Sequence, residues 1–190
     1  MVADLFPAYI LAGGQSTRFG SDKARALVEG RPLIVRQATA LETLGFEVTA
    51  VAEIAGKYDD LGVNTIADAE PGLGPLGGLL TALTHRAADG GWVLVTSCDL
   101  VELRAHWIAQ LLGAMKTEAK VVAYRSDKWQ PFPALYHTSL LEELRQRVAR
   151  KELSCWKLLE TTKVVSPGLP ADWQAMRGVN TVGELQGNGK

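Results

Sequence analysis

The sequence has few of the residues on which several classes of protein depend. It contains 2 cysteines, Cys98 and Cys155, which lie far apart and form no CxxC pair. A disulfide scaffold or a cysteine zinc site is therefore not expected, and a reducing compartment suits the chain. The 3 histidines, His85, His106 and His137, share no metal-ligand spacing, and no GxSxG nucleophile motif is present.

An excess of positive charge and a long apolar run are also missing. The formal net charge is −1, so the chain lacks the basic field of a typical nucleic-acid-binding protein, and local cations must bind any anionic ligand. No apolar run approaches the ~20 residues that span a bilayer, and the N-terminus has no basic segment of a signal peptide. We therefore expect a cytoplasmic protein with no nucleic-acid and no membrane partner.

Strand-like and helix-like segments alternate along the 190 residues. Apolar and β-branched runs predict strands at residues 8–12, 46–52, 63–67, 92–99, 120–124, 132–137 and 163–166. Helical spacing predicts helices at residues 32–44, 53–60, 76–88, 104–116, 139–150 and 154–162, and a last helix from Thr181. This alternation predicts one α/β domain over residues 1–190, with a Rossmann-like α/β/α arrangement of three layers and a mostly parallel sheet.

The first strand-like run opens into a loop rich in glycine and positive charge. Gly13, Gly14 and Gly20 let backbone N–H groups approach a ligand, and Arg18 and Lys23 supply positive charge. Such a loop is suited to a polyphosphate. The spacing of its glycines and lysine does not fit a Walker A loop.

Other unusual residues also follow predicted strands, where ligands bind in parallel sheets. Asp68 follows one strand, and Asp99 follows the most apolar run of the chain. A carboxylate at that position suits a Mg²⁺ ion shared with phosphate oxygens, and an N-cap for the next helix is the alternative. A second loop, residues 70–78, contains a GxGxxG match whose glycines fit either ligand contact or close helix–sheet packing.

Several motifs together resemble those of the MobA-like nucleotidyltransferase family. The segment of residues 11–23, LAGGQSTRFGSDK, is similar to the signature loop of that family, and its Gly-Gly form is typical of the molybdenum cofactor guanylyltransferases. Residues 74–78, the pair Cys98-Asp99, residues 130–136 and residues 179–181 resemble later motifs of that branch in the same order. The resemblance covers nearly the whole chain.

The resemblance implies a binding site for GTP and a role for each matching residue. Nucleotide-binding positions are Leu11, Ala12, Gly13, Gly14, Lys23, Asp68, Gly74, Gly78 and Asp99. Arg18, Lys23 and Asp99 would be catalytic, the two cations on the triphosphate and the aspartate on Mg²⁺, the implied cofactor. Gln130, Pro131 and Asn180 would lie toward the pterin acceptor.

The implied reaction is transfer of GMP from GTP to the phosphate of molybdopterin, with release of pyrophosphate. Molybdoenzymes or their chaperones would receive the product. The alternatives are a related enzyme with another nucleotide or acceptor, such as a molybdopterin cytidylyltransferase or a sugar-1-phosphate nucleotidyltransferase, and a catalytically impaired nucleotide-binding domain. The sequence departs from the family pattern at residues 100–102, where a proline and an aromatic residue are usual, and at Gly178, where asparagine is common.

Overall fold

The protein is built around a central seven-stranded sheet. The computed structural model describes residues 6–13 and 22–176. The strands are β1 (Ala8–Leu11), β2 (Leu27–Val28), β3 (Arg31–Pro32), β4 (Val48–Ala52), β5 (Thr65–Ala67), β6 (Trp92–Ser97), β7 (Val121–Arg125), β8 (Trp129–His137) and β9 (Val164–Val165). The helices are α1 (Leu33–Thr43), α2 (Pro75–Arg86), α3 (Ala105–Gly113), α4 (Leu141–Ala149) and α5 (Cys155–Thr161).

The order of strands in the large sheet is β5-β4-β1-β6-β8-β7-β9, and β2 and β3 form a separate two-stranded hairpin. Strands β5, β4, β1 and β6 are parallel to one another, and β8 runs antiparallel to both β6 and β7. Strand β9 is parallel to β7. The predicted fold class, a mostly parallel sheet with helices on both sides, is confirmed.

Alternate residues of the strands belong to two hydrophobic clusters, one on each side of the sheet. In β1, Ala8 and Ile10 belong to the cluster that also contains Ile34 of α1 and Trp107 of α3. The other two residues of β1 join the cluster formed with α2, α4 and α5. All four positions of β1 are buried, which explains why the strand reads as a continuous apolar run.

The structure corrects some of the predicted elements. Residues 53–60 are not a helix: bends and turns lead into a short 3-10 turn at Asp59–Leu61. Helix α3 ends at Gly113, three residues before the predicted end. The predicted helix from Thr181 lies outside the described residues. Among the described helices, none is long and apolar enough to cross a membrane.

Candidate functional site

The carboxyl ends of β1, β4 and β6 lie side by side at one edge of the sheet. Leu11 is in register with Val51 on one side and with Ser97 on the other. Backbone bonds continue beyond the strand ends, from the Ala12 amide to the Val51 carbonyl at 2.9 Å and from the Cys98 amide to the Leu11 carbonyl at 3.0 Å. The residues that follow β1 and β6 are therefore neighbours.

Lys23 and Asp99 meet at this edge. The Lys23 Nζ lies 3.9 Å from the Asp99 Oδ2, although the two residues are far apart in the sequence. The lysine side chain is 15% exposed and the aspartate side chain 34%, so both are accessible to a ligand and partly shielded from water. The structure thus brings together the predicted cation and the predicted metal ligand. Gly14 and Arg18 lie outside the described residues.

Lys23 is held in place by a network that the sequence did not reveal. Asp22 caps the 3-10 turn Lys23–Arg25 by accepting a bond from the Ala24 amide at 3.0 Å. The same carboxylate accepts a bond from the Tyr58 hydroxyl at 3.1 Å and lies 3.0 Å from the Lys57 Nζ. The end of the first loop is therefore fastened to the segment that follows β4.

The charge states within this network follow from burial and from the neighbouring groups. The Tyr58 ring is buried, and burial together with the charge of Asp22 raises the pKa of its hydroxyl well above the usual value. Burial alone would lower the pKa of Lys57, but its hydrogen bonds with Glu53 and Asp22 outweigh this and raise it. Tyr58 therefore stays neutral and Lys57 stays charged. A contact between positions so far apart gives no local sequence signal.

The second glycine loop ends where α2 begins, against the end of β1. A Cβ on Gly78 would lie 3.1 Å from the Leu11 Cδ2, and one on Gly77 would lie 2.7 Å from the Glu70 carbonyl oxygen. Gly74, the residue before α2, has φ 65° and ψ −155°, a conformation open mainly to glycine. The glycines of this loop thus allow close packing, which brings the positive end of the α2 dipole to the site edge.

Asp68 continues β5 and shapes the second loop. Its amide donates to the Ala52 carbonyl at 2.6 Å, which keeps it at the same edge of the sheet. Its Oδ1 accepts bonds from the Thr81 hydroxyl at 2.7 Å and from the Glu70 amide at 3.0 Å. One carboxylate oxygen therefore joins the loop to α2. Its predicted contact with a nucleotide stays a prediction.

Asp99 lies in a tight turn and not at the start of a helix. The Leu100 amide bonds to the Ser97 carbonyl at 3.2 Å, and α3 begins only at Ala105, with Arg104 as its N-cap residue. The N-cap alternative for Asp99 is therefore wrong. Burial and, to a smaller extent, the charge of Asp99 raise the pKa of the adjacent Cys98 thiol to about 12. This cysteine is therefore not a thiolate nucleophile.

The donor set at this edge fits a hard divalent cation that is shared with a ligand. In the described part of the chain, no group of three or more His, Cys, Asp or Glu side chains could hold a metal ion by itself. Mg²⁺ at phosphate sites is commonly held by one or two carboxylates plus phosphate oxygens and water. The partly exposed Asp99 carboxylate beside Lys23 meets this requirement.

Two of the three predicted acceptor-side residues lie at the start of β8. Because β8 runs antiparallel to β6, its first residues lie at the edge where β6 ends. Gln130 donates to the Ser126 hydroxyl at 3.4 Å, and the Pro131 carbonyl accepts a bond from the Tyr136 hydroxyl at 2.7 Å. Asn180 lies outside the described residues.

A histidine–carboxylate cluster, which the sequence did not reveal, lies at the start of α3. Asp172 accepts a bond from the Trp107 indole at 2.9 Å and contacts His106 at 2.9 Å. Arg104 donates to the same carboxylate. These bonds attach the C-terminal part of the described chain to α3, and they lower the pKa of Asp172.

The fold and this edge place the chain in the class of α/β nucleotidyltransferases. In a mostly parallel sheet, Gly13 follows the carboxyl end of β1, and Lys23 and Asp99 meet at the same edge. Residues 8–165 match the family model of the MobA-like NTP transferase domain. The chain belongs to this family, as the resemblance of its motifs predicted.

Similar proteins cover nearly the full length of the chain. A Deinococcus radiodurans protein named probable molybdenum cofactor guanylyltransferase is 39% identical over 188 residues, 96% of this chain and 95% of its own. The molybdenum cofactor guanylyltransferase of Serratia proteamaculans is 31% identical over 178 residues, 90% and 88% of the two chains.

Solved structures share the fold. The molybdopterin-guanine dinucleotide biosynthesis protein A of Archaeoglobus fulgidus superposes with a TM-score of 0.77 at 20% identity, covering 95% of both chains. A protein of Aquifex aeolicus VF5 superposes with a TM-score of 0.76 at 26% identity, covering 92% of this chain and 93% of its own.

Proposed function

We propose that this protein transfers GMP from GTP to the terminal phosphate of molybdopterin, releasing pyrophosphate and forming a guanine dinucleotide cofactor. Relatives named for this activity align along most of both chains. The observation that carries the proposal is the meeting of Lys23 and Asp99 at 3.9 Å, beside the end of β1 where the glycine loop begins.

The chemistry requires two anionic groups to approach each other. The attacking phosphate of the acceptor is already negatively charged, so the reaction needs no general base. Catalysis then rests on positioning and on neutralising charge at the phosphates. The edge formed by β1, β6 and the start of α2 is suited to both tasks, because it brings a cation and a carboxylate together where both side chains are partly buried.

Asp99 would hold Mg²⁺, which supplies positive charge to the α-phosphate and to the departing pyrophosphate when bound. Lys23 adjoins that carboxylate and would neutralise the phosphates of GTP, with Arg18 as the second cation. Leu11, Ala12 and Gly13 would line the nucleoside side, where Gly78 keeps α2 close to β1.

The acceptor would lie beside the start of β8, next to Gln130 and Pro131. Strand β8 adjoins β6, so an acceptor phosphate there would be near Asp99. Asn180 would complete this side, and a molybdoenzyme or its chaperone would then receive the product.

A nucleotide comparison tests the proposal. Pyrophosphate release is measured with GTP, CTP, ATP and UTP, each with no acceptor, with molybdopterin or with a sugar 1-phosphate, and each with Mg²⁺ or EDTA. Binding of GTP is measured in parallel. We expect release that requires GTP, molybdopterin and Mg²⁺ together. Preference for CTP would indicate a cytidylyltransferase, release with a sugar 1-phosphate instead of molybdopterin would indicate a sugar enzyme, and GTP binding without turnover would indicate an impaired domain.

A further inference from the structure

Gln37 of α1 is a buried polar side chain that the proposed reaction does not use. It is 2% exposed, which is unusual for glutamine, and it sits on a helix that otherwise buries apolar residues. Burying an amide costs free energy unless its hydrogen bonds are made, so its partners explain its place.

The partners of Gln37 are the two ends of the turn that carries Asp99. Its Nε2 donates to the Ser97 carbonyl at 2.8 Å and to the Leu100 carbonyl at 2.9 Å. Its Oε1 accepts a bond from the Thr96 hydroxyl at 3.4 Å. One amide group thus bonds to the last two residues of β6 and to the residue after Asp99.

Within the described residues, two backbone bonds also fix the shape of this turn. The Leu100 amide closes it on the Ser97 carbonyl at 3.2 Å, and the Cys98 amide joins it to β1 at 3.0 Å. Both NH₂ hydrogens of Gln37 are used on carbonyls that flank Asp99, one on each side. Rotation of this peptide segment would move the carboxylate, and the amide opposes that rotation.

We infer that Gln37 is a positioning residue: it holds the Asp99 carboxylate in the orientation in which the cation is bound. The inference rests on the proposed role of Asp99 as a metal ligand. Gln37 itself is buried, and it acts through the backbone of residues 97–100. Groups that orient metal ligands affect metal affinity by about 10–100-fold when they are removed.

The test replaces Gln37 by methionine, which has similar length and no amide group. The control is Ile34→Val, which removes one buried methyl group from the same helix and no hydrogen-bonding group, and which is expected to lower the stability of the fold. Mn²⁺ serves as the probe, and its affinity for the full-length protein with saturating GTP is measured by electron paramagnetic resonance. GTP affinity in EDTA and the urea unfolding midpoint are measured in parallel.

We expect Gln37→Met to weaken Mn²⁺ binding about 10–100-fold and to leave GTP affinity in EDTA unchanged. Ile34→Val should lower stability and leave Mn²⁺ affinity at the wild-type value. If Gln37→Met lowers stability and binds Mn²⁺ as tightly as the wild type, its role is structural only and the inference is wrong.

An Asp99→Asn variant separates failure of this inference from failure of the proposed function. Loss of Mn²⁺ binding in Asp99→Asn together with wild-type binding in Gln37→Met would overturn the positioning role alone. Wild-type Mn²⁺ binding in Asp99→Asn would instead show that the metal site lies elsewhere, and both the proposed metal role and the role of Gln37 would fall.

Discussion

Lys23 and Asp99 carry opposite charges and lie 3.9 Å apart, with nothing in the local sequence of either to indicate the other. Each was predicted separately, one from a glycine loop and one from its place after an apolar run. Their proximity follows from the parallel pairing of β1 with β6, which makes the ends of the two strands neighbours. The sequence therefore predicted the two residues from separate signals, and the strand order of the structure makes them neighbours. Their roles in binding and catalysis stay predictions.

Replacing Lys23 by alanine tests its role as a phosphate-binding cation. We expect a loss of about 2–4 kcal/mol of transition-state stabilisation, in the range for removing one charge-stabilising donor. The measurement is kcat/KM for GTP in the pyrophosphate-release assay. Lys116→Ala, which removes an exposed lysine after α3, is the control for net charge and should retain wild-type kinetics. Wild-type kinetics in Lys23→Ala would remove this residue from the site.

Other residues of the site could not be predicted, because they matter through contacts between distant positions. Asp22 is part of the signature loop, yet its bonds to Lys57 and Tyr58 depend on the path of the chain after β4. Gln37 is likewise one polar residue on an amphipathic helix, and its function depends on which strand that helix covers. Local sequence identifies residues that face a ligand more readily than residues that hold them there.

At the scale of elements, apolar runs and helical spacing predicted most strands and helices within a few residues. The pattern was wrong at residues 53–60, where Asp59–Leu61 alone forms a 3-10 turn. Tertiary contacts outweigh the helical pattern of this segment. The side chains of Lys57 and Tyr58 contact Asp22. Arg25 donates to both carboxylate oxygens of Asp60 at 2.8 Å. The antiparallel direction of β8 also had no local signal, since parallel and antiparallel strands share the same residue types.

The contact between the second loop and α2 gives a prediction at this scale. Gly77→Ala would place a Cβ 2.7 Å from the Glu70 carbonyl oxygen, which is backbone, so the loop must shift. We expect a loss of about 1–3 kcal/mol in the free energy of unfolding, measured by urea denaturation, because overpacking strains both elements.

The matched control for that prediction is Gly113→Ala at the end of α3. Apart from the neighbouring residues and the backbone of α3 itself, no atom of the described chain lies within 4 Å of a Cβ built there. Alanine is the better helix former by up to about 1 kcal/mol, so this variant should be as stable as the wild type or more stable. Equal stability of Gly77→Ala and the wild type would contradict the close packing of loop and helix.

At the scale of the whole molecule, the family and the mostly parallel α/β/α architecture were predicted from the sequence and are confirmed. The order of the motifs along the chain carried the prediction of the family. In the structure, the described residues that follow β1 and β6 are neighbours at one edge of the sheet. The attachment of the C-terminal segment to α3 was not predicted. It depends on Asp172 reaching three donors on α3 and the residue before it.

The Asp172 cluster makes the stability of the molecule depend on pH. The bonds from Trp107, His106 and Arg104 lower the pKa of this carboxylate in the folded protein, below the ~3.9 of an unfolded chain. Its contribution is therefore fully present above about pH 4–5 and is lost as the pH falls through the folded value. We expect Asp172→Asn to be less stable than the wild type at pH 7, with a difference that shrinks as the pH falls below about 4.

Urea midpoints over a range of pH measure this difference. Asp127→Asn, which changes an exposed aspartate between β7 and β8, controls for the change in net charge. A stability difference between Asp172→Asn and the wild type that stays constant from pH 7 to about pH 3 would contradict the ionised role of Asp172.

Transfer of label from GTP is the most direct test of the proposed reaction and its site. GTP labelled at the α-phosphorus is incubated with molybdopterin, Mg²⁺ and either the wild-type protein or Asp99→Asn. We predict that the wild type moves the label into a guanine dinucleotide of the pterin, and that Asp99→Asn, folded and of wild-type stability, moves none. Label that stays in GTP with the wild type, or label transfer by Asp99→Asn at the wild-type rate, would contradict the account.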